Sequence, residues 1–420
     1  MTKLVMQQAP TPAMPRRFLL SASLWGMVAG VLLVLDDGSV LASRWNASTL
    51  VLVHVFTLGV LGNAMFGSLL QFLPVAVQVR VRGGHVAAAL LHALLNAGAA
   101  LLVVALRWPA LVSPHWGGVV LGGAFLWLLA ILLPGLWAVG GQRFLRWGMG
   151  CALLAALVTA GLGVLLVLGL AGTVVIAQPL FTDVHAGWGV LGWVLGLLAA
   201  VARVVAPMFQ GAGPAPQRAQ GAWQIALYGL LLAMLVMALA GRALPGARIA
   251  GGLLLLAFAL GGLLLQLRAA KLRIVPLLYF WRCGLLALAS AALVLLASDA
   301  QDVLAGVLVL AIGLPLLVTG MQLEITGFLG WIELQRRCGR GVHLPGVQWL
   351  VPARDKWGVL GAQLVAGLML VMACLGWIPA NGAGLALLLA HAAGVGVQLA
   401  ARWRANRFFD DAARRGRRHG

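Results

Sequence analysis

Long apolar runs, each separated from the next by a short polar stretch, make up most of the chain between residues 17 and 401. A helix that crosses the hydrocarbon core of a bilayer needs about 20 consecutive apolar residues, whereas a transmembrane strand needs about 10 and alternates apolar with polar positions. These runs have the helical length and lack the alternation. The pattern predicts twelve transmembrane helices, at residues 17–35, 49–76, 85–106, 117–139, 147–177, 185–208, 222–240, 249–266, 275–297, 303–332, 357–376 and 381–401.

The composition supports a membrane protein and excludes several other classes. Of the 420 residues, 62% are apolar and 9% are charged, whereas soluble domains have about 25% charged residues. The mean hydropathy is +1.01. A water-soluble enzyme, a disordered protein and a disulfide scaffold are therefore excluded. The four cysteines have no paired spacing that would indicate a disulfide or zinc framework. We expect an all-α integral membrane protein without a separate soluble domain.

The net charge of +19 becomes informative once the charges are placed on the predicted helices. If the N-terminus is cytoplasmic, 25 of the 29 Lys and Arg residues fall on cytoplasmic segments, and only Arg44, Arg107, Arg242 and Arg248 fall outside. Because Lys and Arg are retained on the cytoplasmic side during insertion, this distribution predicts that both termini are cytoplasmic. We expect a tail at 1–16, a twelve-helix domain at 17–401 and a basic tail at 402–420 in a bacterial inner membrane. Membrane lipids are the expected partners, and no nucleic acid is needed to explain the charge.

Two of the predicted helices share a short sequence pattern. In the second and the sixth helix, a histidine (His54, His185) precedes a Gly-Val-Leu-Gly sequence by about one turn, and a proline (Pro74, Pro207) lies near the other end. Both helices are even-numbered and run in the same direction, so the two histidines are expected at similar depth near the outer face. A neutral imidazole binds haem iron or copper through one ring nitrogen. The structural alternative is that each histidine separately caps a helix start or bonds a backbone carbonyl group.

Other polar residues inside the predicted helices are also candidates, because an unpaired polar group in hydrocarbon is costly. His92 and His391 are expected between the middle of the membrane and its inner side, and they are candidates for a second histidine pair. Glu324 is a deep carboxylate in the tenth helix. It is a candidate proton or ion site, or a partner for Arg203 or Arg282; a hydrogen-bonded helix contact is the structural alternative.

Twelve helices with a histidine opening the second and another opening the sixth resemble subunit I of the haem–copper oxidases and nitric oxide reductases. The sequences around His54 and His185 are also similar to NnrS-type haem- and copper-containing membrane proteins. The resemblance implies a low-spin haem ligand at His54 and a copper ligand at His185. The seventh helix has no His-His pair and the tenth has no histidine, so a haem–copper reducing centre is not expected. Met321 in the tenth helix is a candidate second haem ligand, since Met can ligate haem iron.

The sequence therefore favours a polytopic haem-binding protein, with copper as a second candidate metal, that acts in respiratory redox chemistry or nitric oxide response rather than as a terminal oxidase. The resemblance implies respiratory-chain or cytochrome partners. No catalytic residue is predicted, because the chain has no nucleotide-binding, metalloprotease or serine-hydrolase motif. Two alternatives remain: a secondary transporter that uses Glu324, and a metal-free membrane assembly protein.

Overall fold

A computed structural model of the protein describes residues 10–36, 38–79, 81–138, 142–338 and 342–416. Within these ranges twelve helices are long and apolar enough to cross a membrane, which confirms the predicted all-α fold. The helices are α1 (Ala13–Val34), α2 (Ala47–Val77), α3 (Gly84–Arg107), α4 (Pro114–Trp137), α5 (Arg143–Leu170), α6 (Gln178–Gln210), α7 (Gln217–Leu239), α8 (Ala247–Leu267), α9 (Pro276–Ala297), α10 (Asp302–Arg337), α11 (Ala353–Cys374) and α12 (Ala380–Arg415).

The helices begin where the local sequence favours a helix start. Gly83 and Gly246 directly precede α3 and α8 with φ angles of 70° and 72°, a left-handed conformation that glycine adopts without steric cost. Pro276 opens α9, where its missing N–H group would have no intrahelical partner. Tight connections of this kind reverse the chain between successive helices.

Successive helices pack against each other around the bundle, and α12 closes the ring against α1. The helices α2, α6 and α10 form the interior. About two thirds of the most apolar stretch is buried in α2 and in α10, and half of it is buried in α6. By contrast, only 17% of that stretch in α7 and 22% in α8 is buried, so these two helices present most of their side chains outward. The three inner helices therefore hold the side chains that are best shielded from lipid.

Each of the three inner helices contains π-helical turns. These wide turns cover Val55–Gly62 in α2, Trp188–Leu195 in α6 and Val307–Gly313 in α10. Further π-helical turns, at Leu73–Val77 and Ala206–Gln210, contain the prolines Pro74 and Pro207. π-helical turns are rare and are found frequently at functional sites. In α2 the first π-helical turn begins immediately after His54. In α6 it begins about one turn after His185.

The two ends of the bundle differ in charge. One end holds the beginning of α1 and the end of α12, with Arg16, Arg203 and Arg404 among its side chains; we call it the arginine-rich end and the other the arginine-poor end. The first helix begins at Ala13, a few residues earlier than the predicted start at 17. The last one continues past the predicted end at 401 to Gly416, so much of the predicted basic tail is helical.

Candidate functional site

Ion pairs connect the three inner helices at the arginine-poor end. Arg44, which lies just before α2, contacts Asp183 of α6 at 2.8 Å and Asp302 of α10 at 3.3 Å. Asp302 also pairs with Arg248 at the start of α8. Two of the four basic residues predicted at this end thus neutralise two of its carboxylates. The network fixes the beginnings of α2 and α6, the segments that carry the predicted histidines.

His54 is held by its own helix. Its ring Nδ1 lies 2.7 Å from the backbone oxygen of Leu50, one turn earlier in α2. A carbonyl oxygen only accepts hydrogen bonds, so Nδ1–H is the donor, and Nε2 carries the lone pair. As a whole residue, His54 is half-buried. In its neutral form, His54 therefore has Nε2 as its free nitrogen.

His185 is held in the same tautomer by a neighbouring helix. Its Nδ1 lies 3.0 Å from the backbone oxygen of Thr159 in α5, so this nitrogen also donates and Nε2 is again the acceptor. Gly163, one turn further along α5, leaves room for the ring: a Cβ atom there would lie 3.2 Å from Cε1 of His185. Histidines that bind metals generally donate the other ring N–H to a carbonyl or carboxylate group, which fixes the tautomer and the orientation of the ring.

The two imidazoles lie next to each other across the α2–α6 interface. Their ring centroids are 6.3 Å apart and their planes are inclined by 31°. A metal binds an imidazole nitrogen at about 2 Å, and the ring centre lies about 1 Å behind that nitrogen, so two imidazoles on opposite sides of one metal have ring centres about 6 Å apart. The observed separation matches this distance. We call His54 and His185 the histidine pair.

The histidine pair has no third protein ligand of the usual kinds. In the described part of the chain, no group of three or more His, Cys, Asp or Glu side chains is arranged to hold a metal ion. Zinc sites in proteins take three or four protein ligands, so two imidazoles fit zinc poorly. They suit a metal that brings its other ligands with it, as haem iron does with the four porphyrin nitrogens.

His92 and His391, predicted as candidates for a second pair, lie on different faces of α1. The Nε2 of His92 lies 2.9 Å from the Ser21 hydroxyl oxygen, and its ring packs edge-on against Phe18. His391 is 5% exposed and packs directly on Gly26, where any Cβ atom would overlap its ring. Gly26 is about 140° around the helix axis from Ser21. The two rings therefore lie apart, and each has its own packing role.

Glu324 has a partner that the sequence did not predict. Its Oε1 lies 2.6 Å from Nζ of Lys356, near the start of α11, and both side chains are largely buried. The predicted partners are occupied elsewhere: Arg203 donates to Gln220, and Arg282 lies over the ring of Tyr279. Lys356 directly precedes an apolar run, and a four-carbon side chain can reach into the membrane from such a position.

Met321, the predicted second haem ligand, lies in α10 on the wall of a cavity nearer the arginine-rich end. Gln71 of α2 lies on the same cavity wall. It is 17 residues from His54, which corresponds to about 25 Å along a helix. The Met321 side chain thus belongs to a different region from the histidine pair.

No known protein-family profile and no curated protein matches this chain. The chemistry of the histidine pair therefore follows from its own geometry and from the residues around it.

Proposed function

We propose that this all-α membrane protein binds one haem between α2 and α6, which His54 and His185 would hold. Cu(I) is the second candidate metal. In this proposal the protein serves respiratory redox chemistry or the response to nitric oxide, in a bacterial inner membrane, and is not a terminal oxidase.

The observation that carries the proposal is the geometry of the histidine pair. The ring centroids are 6.3 Å apart, and backbone oxygens hold both rings in the tautomer that leaves Nε2 free. The structural alternative, in which each histidine only bonds a backbone carbonyl group, accounts for both hydrogen bonds but requires no particular distance between the two rings.

Haem is favoured over copper because of the number of protein ligands. Two imidazoles complete the coordination of haem iron, and also satisfy two-coordinate Cu(I), but soft Cu(I) sites usually contain sulfur ligands. When bound, haem would supply one-electron redox chemistry. His54 and His185 would hold the group, and the Leu50 and Thr159 carbonyl oxygens would keep both rings oriented.

Two features argue against oxygen or nitric oxide reduction at a haem–copper centre. Neither α7 nor α10 contains a histidine, and no cluster of three or more metal-binding side chains occurs among the described residues. The resemblance to subunit I of the haem–copper oxidases and to NnrS-type proteins then supports electron transfer or ligand handling, with cytochromes or other respiratory proteins as partners.

The transporter alternative depends on Glu324 as a proton or ion site. The ammonium group of Lys356, 2.6 Å away, neutralises this carboxylate. A carboxylate paired in this way is better suited to joining α10 to α11 than to accepting a proton in each transport cycle. We therefore place the transporter second to the haem protein.

The test is an absorbance spectrum and metal analysis of protein purified from haem-replete cells. We expect about one haem per chain, with a low-spin Soret band. His54→Ala and His185→Ala should each lower the haem content by at least tenfold, since loss of even an outer-shell partner weakens metal sites by about 10–100-fold. His92→Ala is the matched control, because it removes an intramembrane histidine that lies outside the pair.

Substitution by another ligand separates direct ligation from an effect on folding. His185→Met should retain haem with a shifted spectrum, since Met also ligates haem iron. If the protein instead contained stoichiometric copper and showed no Soret band, and if both alanine variants lost the copper, the histidine pair would be a Cu(I) site. A metal-free preparation, or a spectrum that both alanine variants retain, would overturn the proposal.

A further inference from the structure

A second region of the interior, distinct from the histidine pair, contains a cavity of about 210 Å3. It lies where α2, α6 and α10 separate toward the arginine-rich end, and its wall includes side chains from all three inner helices. Representative lining residues are Met65, Gln71, Val201, Met208, Val318 and Met321. A cavity of about 150 Å3 accommodates benzene, so this one has room for a single ring with several substituents.

Gln71 in this wall lacks hydrogen-bond partners. Its side chain is 5% exposed, and neither its amide nitrogen nor its amide oxygen has a partner in the structure. Most buried polar side-chain atoms in proteins have a partner, and leaving an amide without one costs about 1–3 kcal/mol. By contrast, the buried Gln322 donates to the Leu19 backbone oxygen and to Ser23. Gln71 is therefore well suited to bind a polar group that enters the cavity.

The rest of the wall determines what kind of molecule fits. Among the residues that the structure describes, no charged side chain lines the cavity; apart from Gln71, the only described lining side chain with a hydrogen-bonding group is Ser68, one turn earlier in α2. Methionine and aliphatic side chains form most of the remaining surface, and methionine adapts its shape to a flat ring. A charged ligand would remain without a counter-charge here, which makes its burial unfavourable. The ligand must be uncharged, largely apolar and equipped with one or two polar atoms.

We propose that this cavity binds an uncharged ring compound bearing a carbonyl or hydroxyl group. The amide of Gln71 donates to a carbonyl oxygen of the ligand, or accepts from its hydroxyl group, and the apolar ring lies between the side chains of α6 and α10. The site is independent of the histidine pair, from which it is separated by several helical turns. A lipid acyl chain would fill the same space without satisfying Gln71.

The experiment compares two probes of nearly the same shape, tetramethyl-1,4-benzoquinone and 1,2,4,5-tetramethylbenzene. Binding is measured by equilibrium dialysis of protein in lipid nanodiscs, with empty nanodiscs subtracted to remove partition into lipid. We expect the wild-type protein to bind the quinone at least tenfold more tightly than the hydrocarbon. In Gln71→Leu this preference should disappear because the leucine cannot form the hydrogen bond.

Two further variants complete the design. Val201→Phe fills the cavity and should weaken binding of both probes. Gln224→Leu is the matched control, since Gln224 is an intramembrane glutamine with an unpartnered amide nitrogen that lies outside the cavity wall; it should leave the preference intact. Gln71→Leu is expected to fold, because it replaces an unsatisfied amide with an apolar group of similar size. Equal binding of the two probes to wild-type protein, no binding of either, or a preference that persists in Gln71→Leu would each overturn the proposal.

Discussion

Lys356 and Glu324 show how much a single buried pair can determine. The two side chains retain only 9% and 13% exposure and lie 2.6 Å apart. Lys356→Met would leave the Glu324 carboxylate buried without a counter-charge, and removing one partner of such a pair costs about 3–5 kcal/mol. We expect this loss in the free energy of unfolding, measured by denaturant titration in mixed micelles.

The matched controls for this pair are available in the chain. Lys271→Met removes a lysine that is exposed in the connection between α8 and α9, and it should have little effect on stability. Adding Glu324→Gln to Lys356→Met should recover most of the loss, because the unpaired charge is then gone. If the double variant is as unstable as the single one, the pair is not the source of the stabilisation.

At the scale of single residues, the sequence predicted the histidine pair but not the groups that hold its two rings. The repeated pattern around His54 and His185 predicted two imidazoles at matching depth, and their rings are neighbours in the structure. The Thr159 carbonyl oxygen that holds His185 has no sequence signal, since every residue has a backbone oxygen. The partner of Glu324 was missed for a related reason: Lys356 precedes the apolar run, and the sequence does not show where its flexible side chain ends.

A close helix contact brings α1 and α12 together at two glycines. A Cβ atom on Gly30 would lie 2.5 Å from the backbone nitrogen of Leu388, and one on Gly384 would lie 2.7 Å from that of Val34. These atoms belong to backbone and cannot move aside as a side chain would. Small residues permit such close approach in membranes, where packing drives helix association.

Gly384→Ala should therefore separate α1 from α12 and lower stability by about 1–3 kcal/mol, as overpacking usually does. Gly396→Ala is the control in the same helix, because nothing lies within 4 Å of its Cβ position. That variant should be neutral or stabilising by up to about 1 kcal/mol, the helix preference of alanine over glycine. Equal melting temperatures for both variants would contradict the close contact.

The number of helices could be predicted from hydropathy, but their ends could not. The end of α12 beyond residue 401 is polar and charged, so no apolar run marks it. It is held by contacts that only the fold provides: Arg404 donates to the Leu350 backbone oxygen and pairs with Asp355 at 2.7 Å. Ala405 is buried against Leu334 and Leu350 beneath these bonds. Tertiary packing thus extends a helix where the local pattern ends it.

For the whole molecule, the charge difference between the two ends gives an experimental prediction about orientation. We expect the arginine-rich end to face the cytoplasm, since Lys and Arg are retained there during insertion. In a variant without native cysteines, Val175→Cys should react with a membrane-impermeant maleimide in intact spheroplasts, because Val175 is fully exposed at the arginine-poor end. Ala270→Cys, in the connection between α8 and α9 at the other end, should react only after lysis. The reverse labelling pattern would show that the arginine-rich end faces away from the cytoplasm.

The wide turns in α2 and α6 have a consequence for how the imidazoles can move. A π-helical turn contains one residue more than an α-helical turn, and shifting it along the chain by one position exchanges one hydrogen bond for another without unwinding the helix. Each such shift rotates the helical segment through which the π-helical turn has moved. His54 directly precedes a π-helical turn, and His185 lies about one turn before another. Migration of such a turn would therefore be a local way to redirect either ring, and it would compete with the hydrogen bond that now holds the ring to the Leu50 or Thr159 backbone oxygen.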